Sequence, residues 1–388
     1  MINAFKLLFD DNNIFTFSRL LQNANGFLLS IVLVQQFGLS AMGIYTISLV
    51  GAIVVSVVGT LGLPYSLARS DADIKEKNRV GIMACALIMV VSLPFLGAYS
   101  FALAHDSEQA VVILIFSFSG WFFAQNNILN ALLVLQNRVA LSIISQAANL
   151  IGIVVACLTS QNLLEFAVVI LISRLLGVSI LCFFLPQRNV GIARFQVHVL
   201  TSLKFISSDA IRYMSEQLCI TGIAYFLSRD ELGILGLCRQ LINVADTPLA
   251  SIMQTEYPAL VKDAHRISPL RRRVLRLSLA VGAFCTFASI PMGIFLYQLS
   301  TFPLFALILL ASLPARYLSG VYDNALRAAG QIATMNLVMA IQSVLYLAVV
   351  PMAMFGVVPV LIGLCVHTCI STYITVRAVR RRQEVEQA

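Results

Sequence analysis

The sequence DAIRYMSEQLCITGIAYFLSRDELGILGLCRQLINVADTPLASIMQTEYP occupies residues 209–258 and places ionisable side chains at helical spacing within two apolar runs. Asp209, Arg212 and Glu216 fall at i, i+3 and i+7 of the first run, so they share one face of a helix. Arg239 and Asp246 have the same i, i+7 relationship in the second run. An ionised side chain at the centre of a bilayer costs about 2.5–3.5 kcal/mol on the most lenient scale, so both faces are expected to point into a helix bundle or a wet cavity.

The composition of the whole chain is that of a membrane protein. Hydrophobic residues make up 59% and charged residues 11% of the 388 positions, against roughly one quarter charged in an average soluble protein. Repeated apolar runs of about 20 residues are long enough to cross a hydrocarbon core roughly 30 Å thick. We predict an all-α polytopic membrane protein with about twelve transmembrane helices, at residues 14–37, 41–64, 80–104, 110–135, 140–158, 163–186, 203–228, 232–256, 274–297, 302–326, 331–355 and 357–376.

Basic residues alternate along the chain as a twelve-span topology requires. Twenty of the 26 Lys and Arg residues lie at the termini, in even-numbered loops or, as Lys204 and Arg276 do, in the first three residues of the span that follows such a loop. Five lie deeper within spans, and only Arg229 lies in an odd-numbered loop. Because cytoplasmic loops are enriched in Lys and Arg, both termini are predicted to be cytoplasmic. The net charge of +8 then lies at the membrane boundary, where it favours anionic lipid headgroups rather than nucleic acid.

Catalytic and metal-binding patterns are not evident in the sequence. All eight Cys fall inside predicted spans; Cys365 and Cys369, at i, i+4, could in principle bind a metal, but apolar packing is the favoured interpretation. The four His form no constellation with Cys or paired carboxylates. The longest predicted loop has 17 residues. We therefore expect a transporter rather than an enzyme, with no cofactor and no metal site.

The two halves of the chain resemble each other. The segment 38–43 (GLSAMG) lies between spans 1 and 2, and the segment 228–233 (SRDELG) has the same place between spans 7 and 8, so Gly43 corresponds to Gly233. Likewise, 130–132 and 324–326 both read Asn-Ala-Leu. Six spans per half make a parallel repeat, which is typical of transporters. We predict two six-helix lobes, at residues 1–194 and 195–388.

Three motifs of the first half and one of the second carry a resemblance to a known family. The segments 19–23 (RLLQN), 36–45 (QFGLSAMGIY) and 60–64 (TLGLP) resemble the opening of Wzx-type polysaccharide flippases, and 324–331 (NALRAAGQ) resembles their second half. These flippases belong to the MOP superfamily, which also contains lipid II flippases and MATE drug exporters.

The resemblance implies a function and a location. It implies flipping of an isoprenoid-pyrophosphate-linked oligosaccharide across the bacterial inner (cytoplasmic) membrane, for O-antigen (lipopolysaccharide) or capsule synthesis. Alternating access through a cationic cavity is the mechanism that it implies. Membrane lipids, a polysaccharide polymerase and a chain-length regulator are the partners expected on this basis.

Arginines within the predicted spans are the candidate substrate ligands. A guanidinium stays charged and binds phosphate or carboxylate through two parallel hydrogen bonds. Snorkelling of Arg19 to the headgroups, pairing of Arg212 with its acidic neighbours, and packing of Arg174 and Arg316 remain open as alternatives. In the lipid II flippases that the chain resembles, arginines of spans 1 and 8 face the cavity, and Arg19 and Arg239 occupy those spans here. The candidates are Arg19, Arg174, Arg212, Arg239 and Arg316.

Acidic residues within spans raise a second function. Titration of a buried carboxylate can couple ion movement to transport, so a cation-coupled, MATE-like multidrug exporter is the alternative, with H+ or Na+ as the coupling ion. Each acid also has an arginine on its own face; for Asp323 these are Arg316 and Arg327, and internal pairing remains open. The candidates for coupling or charge balance are Asp209, Glu216, Asp246 and Asp323.

Overall fold

The computed structural model describes residues 11–60, 63, 66–67, 70–136, 138, 140–202, 207–262 and 267–387. All regular structure within these ranges is helical, which confirms the all-α prediction. In chain order the helices are α1 (Asp11–Thr60), α2 (Ile74–Leu103), α3 (Ser107–Leu135), α4 (Ala140–Thr159), α5 (Leu163–Phe184), α6 (Ile192–Ser202), α7 (Ser207–Ala224), α8 (Arg229–Lys262), α9 (Ile267–Pro291), α10 (Phe302–Leu310), α11 (Leu313–Ala328), α12 (Ile332–Leu347) and α13 (Val357–Gln387). A π-helical turn (Met292–Leu296) continues α9, and a 3-10 segment (Val350–Phe355) follows α12.

The helices are those of a polytopic membrane protein. Each predicted span overlaps at least one helix, and large apolar side chains such as Val90, Phe101 and Phe287 are exposed on the helix surfaces. Such surfaces are favourable in contact with lipid and costly in water. Within the described residues, eight helical stretches have the length and apolar composition to cross a membrane: Leu20–Val55, Ile74–Leu103, Ala140–Thr159, Leu163–Phe184, Ile267–Leu296, Phe302–Ala328, Ala333–Phe355 and Val357–Val379.

The first two predicted spans meet at a single residue. The 50-residue helix α1 is broken at Gly38, which has φ 82° and ψ 178°. That backbone conformation is essentially restricted to glycine, because a Cβ would clash with the main chain. Gly38 therefore turns the chain between the two spans without a longer loop.

Prolines explain where the later spans depart from regular α-helix. Pro291 ends α9 and is followed by the π-helical turn, and Pro351 lies in the 3-10 segment after α12. Pro314 lies in the first turn of α11, so the predicted span 302–326 is divided into α10 and α11. A proline has no backbone N–H to donate, and its ring disfavours a continuing helix before it.

Two segments expected in loops are helical instead. Residues 192–202, in the predicted connection after span 6, form α6, and Arg271–Arg273 lie in α9 rather than before it. The inward face of α6 is set by Phe195, His198 and Ser202, at i, i+3 and i+7, which are less exposed than most of the helix. His198 lies 3.3 Å from a carboxylate oxygen of the buried Glu76, at the start of α2. The helix α6 is short and its hydropathy is low, so the long apolar runs that predict transmembrane spans do not include it.

The chain divides into two compact units. Unit 1 comprises Met1–Val32 and Ile44–Gln217, and unit 2 comprises Leu33–Gly43 and Leu218–Ala388. In unit 1, Trp121 is buried in an apolar cluster and stacks on Phe118, with ring centroids 5.6 Å apart. In unit 2, Tyr317 is fully buried.

Within unit 2, the corresponding glycines of the two repeats take part in a reciprocal backbone contact. A Cβ added to Gly43 would collide with the carbonyl oxygen of Arg229, and one added to Gly233 would collide with the carbonyl oxygen of Leu39. Leu39 and Arg229 each precede their own glycine by four residues. The contact is therefore locally two-fold symmetric, as expected where equivalent segments of an internal repeat meet.

Candidate functional site

Close packing of α4 and α5 brings polar side chains together in unit 1. A Cβ on Gly152 of α4 would collide with Ser173 of α5, and one on Gly177 would lie 3.2 Å from Oγ of Ser145. Each glycine therefore faces a serine across the helix pair. This close approach also fixes the position of Arg174, the residue after Ser173.

Arg174 is held inside unit 1 by a hydroxyl group. Its side chain is buried, with 6% of the residue exposed, and Nη1 donates a hydrogen bond of 2.9 Å to Oγ of Ser119 on α3. Ser119 in turn donates to the carbonyl oxygen of Phe116 at 2.8 Å. The guanidinium keeps its charge in this position, because arginine does not lose its proton in proteins.

Amide and hydroxyl groups join α1 to α4 beside this arginine. Asn25 donates from Nδ2 to the carbonyl oxygen of Gln146 at 2.9 Å and lies 3.4 Å from its Oε1. Ser142 donates to Oγ of Ser18 at 2.8 Å. These bonds use the amide nitrogen of Asn25, and its buried Oδ1 atom has no hydrogen-bond donor among the described residues.

A small cavity in unit 1 is lined by these polar groups. Its volume is about 10 Å³, roughly the space that one water molecule requires. Among the residues that the structure describes, Oδ1 of Asn25 and Oδ1 of Asn149 are buried and accept no hydrogen bond. The lining residues are Asn25, Gly26, Asn149, Ile153, Ile170, Ser173 and Arg174.

Carboxylates are absent from the interior of the helices α1–α5. The sequence of these helices contains Asp or Glu only in their first turns, at Asp11, Glu76, Glu108 and Glu165. Arg174, by contrast, lies near the middle of α5. The other helical carboxylates of unit 1 are Asp209 and Glu216, which lie in α7.

Unit 2 contains an ion pair that joins two helices. Arg316 on α11 donates from Nε to Oδ2 of Asp246 on α8, and the neighbouring Tyr317 donates from its hydroxyl to the carbonyl oxygen of Ala245. The side chains of Arg316 and Asp246 are 34% and 22% exposed. The sequence suggested Arg316 as a partner of Asp323 on the same helix, whereas the bond described here joins it to a different helix.

The remaining predicted residues have varied surroundings. Asp323 is buried, with 6% of the residue exposed, and its Oδ2 lies 3.5 Å from Oγ of Ser319. Arg239 on α8 and Glu216 on α7 are partly buried. The side chains of Arg19, Asp209 and Arg212 lie outside the part of the chain that the structure describes.

Sequence reasoning missed two neutral residues that line the unit 1 cavity, Asn25 and Ser173, because they carry no charge. The spacing of Ser142, Ser145, Gln146 and Asn149 at i, i+3, i+4 and i+7 is a detectable signal, because it gives α4 one polar face. Within the described ranges, His, Cys, Asp and Glu form no group of three or more that is suited to a metal ion.

Comparison with known proteins identifies the fold. No family model matches the sequence, and no curated protein matches it. An inward-facing multidrug resistance MATE transporter of the MOP superfamily has a TM-score of 0.72 at 11% identity, covering 96% of both chains. The lipid II flippase MurJ, in an inward closed conformation, has a TM-score of 0.72 at 14% identity, covering 94% of this chain and 87% of that one.

A third similar structure extends the same result. The MATE transporter VcmN of Vibrio cholerae, solved as a point mutant, has a TM-score of 0.58 at 15% identity, covering 98% of this chain and 97% of that one. At these identities the likeness is one of fold. The structural neighbours are transporters of the MOP superfamily, which confirms the predicted architecture at that level.

Proposed function

We propose that this chain is a membrane transporter that flips an isoprenoid-pyrophosphate-linked oligosaccharide repeat unit across the bacterial inner membrane, with both termini cytoplasmic. The fold shared with MOP-superfamily transporters supports transport. The observation that carries the proposed cargo class is the buried guanidinium of Arg174, which donates a hydrogen bond to the hydroxyl of Ser119 within unit 1. The proposal includes no catalytic role for the chain.

A permanent positive charge in an apolar surrounding discriminates between cargo charges. At an effective dielectric constant of roughly 20, two unit charges about 10 Å apart interact by about 1.7 kcal/mol. Arg174 thus favours a pyrophosphate and disfavours a cationic drug by a comparable amount. A guanidinium also suits the paired oxygen atoms of a phosphate geometrically.

The other intramembrane charges have proposed roles in the same function. Asp246 holds Arg316 in a defined orientation, and an anionic cargo competes with this carboxylate for the guanidinium. Because both side chains are partly exposed, the pair is accessible to such competition. The proposed cargo ligands are Arg19, Arg174, Arg212, Arg239 and Arg316, and the proposed charge-balancing or coupling residues are Asp209, Glu216, Asp246 and Asp323.

Cation-coupled export of multidrug-like molecules is the second candidate function. The buried carboxyl group of Asp323 favours it, because a carboxyl group inside a membrane helix can carry a proton or coordinate Na+. Coupling to H+ or Na+ is compatible with the flippase as well. The charge of the cargo therefore separates the two functions better than the coupling ion does.

The sidedness of the lipid-linked oligosaccharide in inner-membrane vesicles tests the proposal. Vesicles from a deletion strain are expected to retain the intermediate on the cytoplasmic leaflet, and restoring the chain is expected to move it to the periplasmic leaflet. Arg174→Met and Arg239→Ala are each expected to abolish this movement while the protein remains in the membrane. Arg276→Met, at an exposed position of α9, is the matched control and should transport normally.

The same vesicles distinguish the alternative. If the sidedness of the lipid-linked oligosaccharide is the same with and without the chain, and efflux of a cationic dye requires the chain, the exporter is the correct function and the flippase is not. A polymerase and a chain-length regulator are proposed partners of the flippase, and their dependence on this chain is measurable as loss of polymer in the deletion strain.

A further inference from the structure

We propose that Arg174 acts as a tethered cation in unit 1, so that the cavity beside it binds one water molecule and takes no Na+ while the guanidinium is present. Arg174 is also a proposed cargo ligand, but this inference concerns the cavity beside it and does not depend on the identity of the cargo. It rests on the lining of the cavity, on two buried amide oxygens and on the position of a permanent charge.

The two amide oxygens define what the occupant must offer. Oδ1 of Asn25 and Oδ1 of Asn149 are both buried, and within the described residues neither accepts a hydrogen bond. A buried acceptor without a donor is costly, so native structures satisfy such atoms through protein groups or water. The occupant must therefore present positive charge or two hydrogen-bond donors to these oxygens.

The orientation of Asn25 is fixed by the protein. Its Nδ2 donates to the carbonyl oxygen of Gln146 at 2.9 Å, so the amide cannot exchange its oxygen and nitrogen without losing that bond. Ser173, on α5, donates its hydroxyl proton to the carbonyl oxygen of Ile170 at 2.9 Å. The Ser173 hydroxyl is thus an acceptor toward the cavity that it lines, in keeping with an acceptor-rich lining.

A cavity lined only by oxygen acceptors would suit a small cation, because hard cations bind oxygen ligands. The cavity is, however, also lined by Arg174, whose side chain is buried and permanently charged. A second cation at this depth would be repelled by the guanidinium, with little screening by solvent.

A single water molecule satisfies both amide oxygens and is compatible with the guanidinium. It has two protons, which match the two amide oxygens, and its lone pairs can accept a hydrogen bond from Arg174. The volume of about 10 Å³ is close to the minimum that a buried water needs. The water would join α1, α4 and α5, since Asn25, Asn149 and Arg174 come from these three helices.

The inference predicts a gain of Na+ binding when the charge is removed. Arg174→Met leaves the amide oxygens in place and deletes the guanidinium, so the cavity should become a Na+ site. Unfolding of the purified full-length protein is followed by the fluorescence of Trp121, the only Trp, which is buried in unit 1. NaCl is compared with choline chloride at equal concentration, so that ionic strength is constant.

Three results are expected from this comparison. The melting temperature of the original protein should be the same in both salts, and that of R174M should be higher in NaCl by about 2 °C or more. R174K, which retains a charge, should show no difference between the salts. Adding Asn149→Leu to R174M should remove the gain, because one of the two oxygens is then missing.

Two results would overturn the inference. One is a NaCl-dependent rise in the melting temperature of the original protein that Asn149→Leu removes, and the other is a folded R174M that does not respond to NaCl. If R174M does not fold, crystals of the original protein grown with Tl+ decide the matter. Anomalous density in the cavity overturns the inference, and a non-anomalous peak within about 3.2 Å of both amide oxygens supports it.

These outcomes are independent of the proposed flippase. A protein that fails the vesicle sidedness assay can still carry a Na+-insensitive cavity, and a confirmed flippase can still prove to bind Tl+ there. The two proposals therefore fail through different measurements.

Discussion

Arg316 of α11 and Asp246 of α8 are bonded side chain to side chain, and the adjacent pair Tyr317 and Ala245 is bonded hydroxyl to carbonyl. Consecutive residues of one helix thus engage consecutive residues of the other, in opposite order. One bond is an ion pair that is partly exposed, whereas Tyr317 is fully buried. The buried bond provides a fixed attachment, and the ion pair beside it remains accessible to other charged groups.

Replacing either member of the ion pair should lower stability modestly. Because both side chains are partly exposed, we expect Asp246→Asn to reduce the free energy of unfolding by about 1 kcal/mol or less. Arg316→Gln should have a similar effect, and D246N/R316Q should be less destabilised than the sum of the two single variants. Melting temperatures of the four proteins, measured in one detergent, check this. Strict additivity would mean that the two side chains do not interact in the folded protein.

The reciprocal contact of Gly43 and Gly233 should not tolerate a methyl group. Gly43→Ala and Gly233→Ala each place Cβ against a backbone carbonyl, which cannot rotate away as a side chain can. Overpacking of this kind typically costs about 1–3 kcal/mol. A thiol-reactive dye that reports exposure of the buried Cys238 and Cys285 on heating measures the loss.

Gly97 offers the control for those glycine variants. It lies in α2, and an added Cβ would meet no atom of the described residues within 4 Å. Gly97→Ala should therefore leave the melting temperature unchanged or raise it slightly, since alanine favours the helix by about 0.5–1 kcal/mol over glycine. If Gly97→Ala lowers the melting temperature as much as Gly43→Ala and Gly233→Ala do, the close backbone contact is not the cause of the lower stability.

The packing of α4 against α5 predicts a compensating pair of substitutions. Gly152→Ala should lower the melting temperature, because the new methyl group collides with Ser173. Adding Ser173→Gly removes the atoms that collide, so G152A/S173G should regain most of the loss. The fluorescence of Trp121 during heating reports the transition in unit 1. If the double variant is less stable than G152A, the collision is not what limits the close approach.

The short helix α6 should loosen when its carboxylate partner is neutralised. Glu76 is buried and lies 3.1 Å from Nε of Arg194 and 3.3 Å from Nε2 of His198. We expect Glu76→Gln to speed backbone hydrogen exchange of residues 192–202 by about tenfold, because bonds to charged groups contribute about 1.5–3 kcal/mol. Glu108→Gln, at an exposed position in the first turn of α3, should leave that exchange rate unchanged.

Hydropathy predicts the all-helical membrane fold, because lipid requires every span to satisfy its own backbone and to present apolar side chains. Eight helical stretches of the described residues have the length and apolar composition to cross a membrane, so the count of twelve spans stays a prediction. The break at Gly38 was predictable as a boundary between spans, but its conformation was not, since spacing does not report φ and ψ. The sequence does not predict α6, because only one face of this short helix, the one with Phe195 and His198, is turned inward.

Charge patterns were less informative about the site than about the topology. Spacing along one helix relates Arg316 to Asp323 and Arg239 to Asp246, whereas the ion pair of Arg316 crosses to Asp246 on another helix. Such a pairing depends on how α8 and α11 pack against each other, and the spacing of residues along one helix gives no information about that packing. The cavity of unit 1 depends in the same way on Asn25 and Asn149, which come from separate helices.

The assignment of Leu33–Gly43 to unit 2 has a consequence for dividing the gene. The sequence repeat suggests a cut between residues 194 and 195, yet a polypeptide that starts at residue 195 would lack this segment. Its Gly233 would lose the carbonyl oxygen of Leu39 that it faces in the intact chain. The second half is thus complete only when the first half is synthesised with it, and a split gene should be functional only through co-expression of both products.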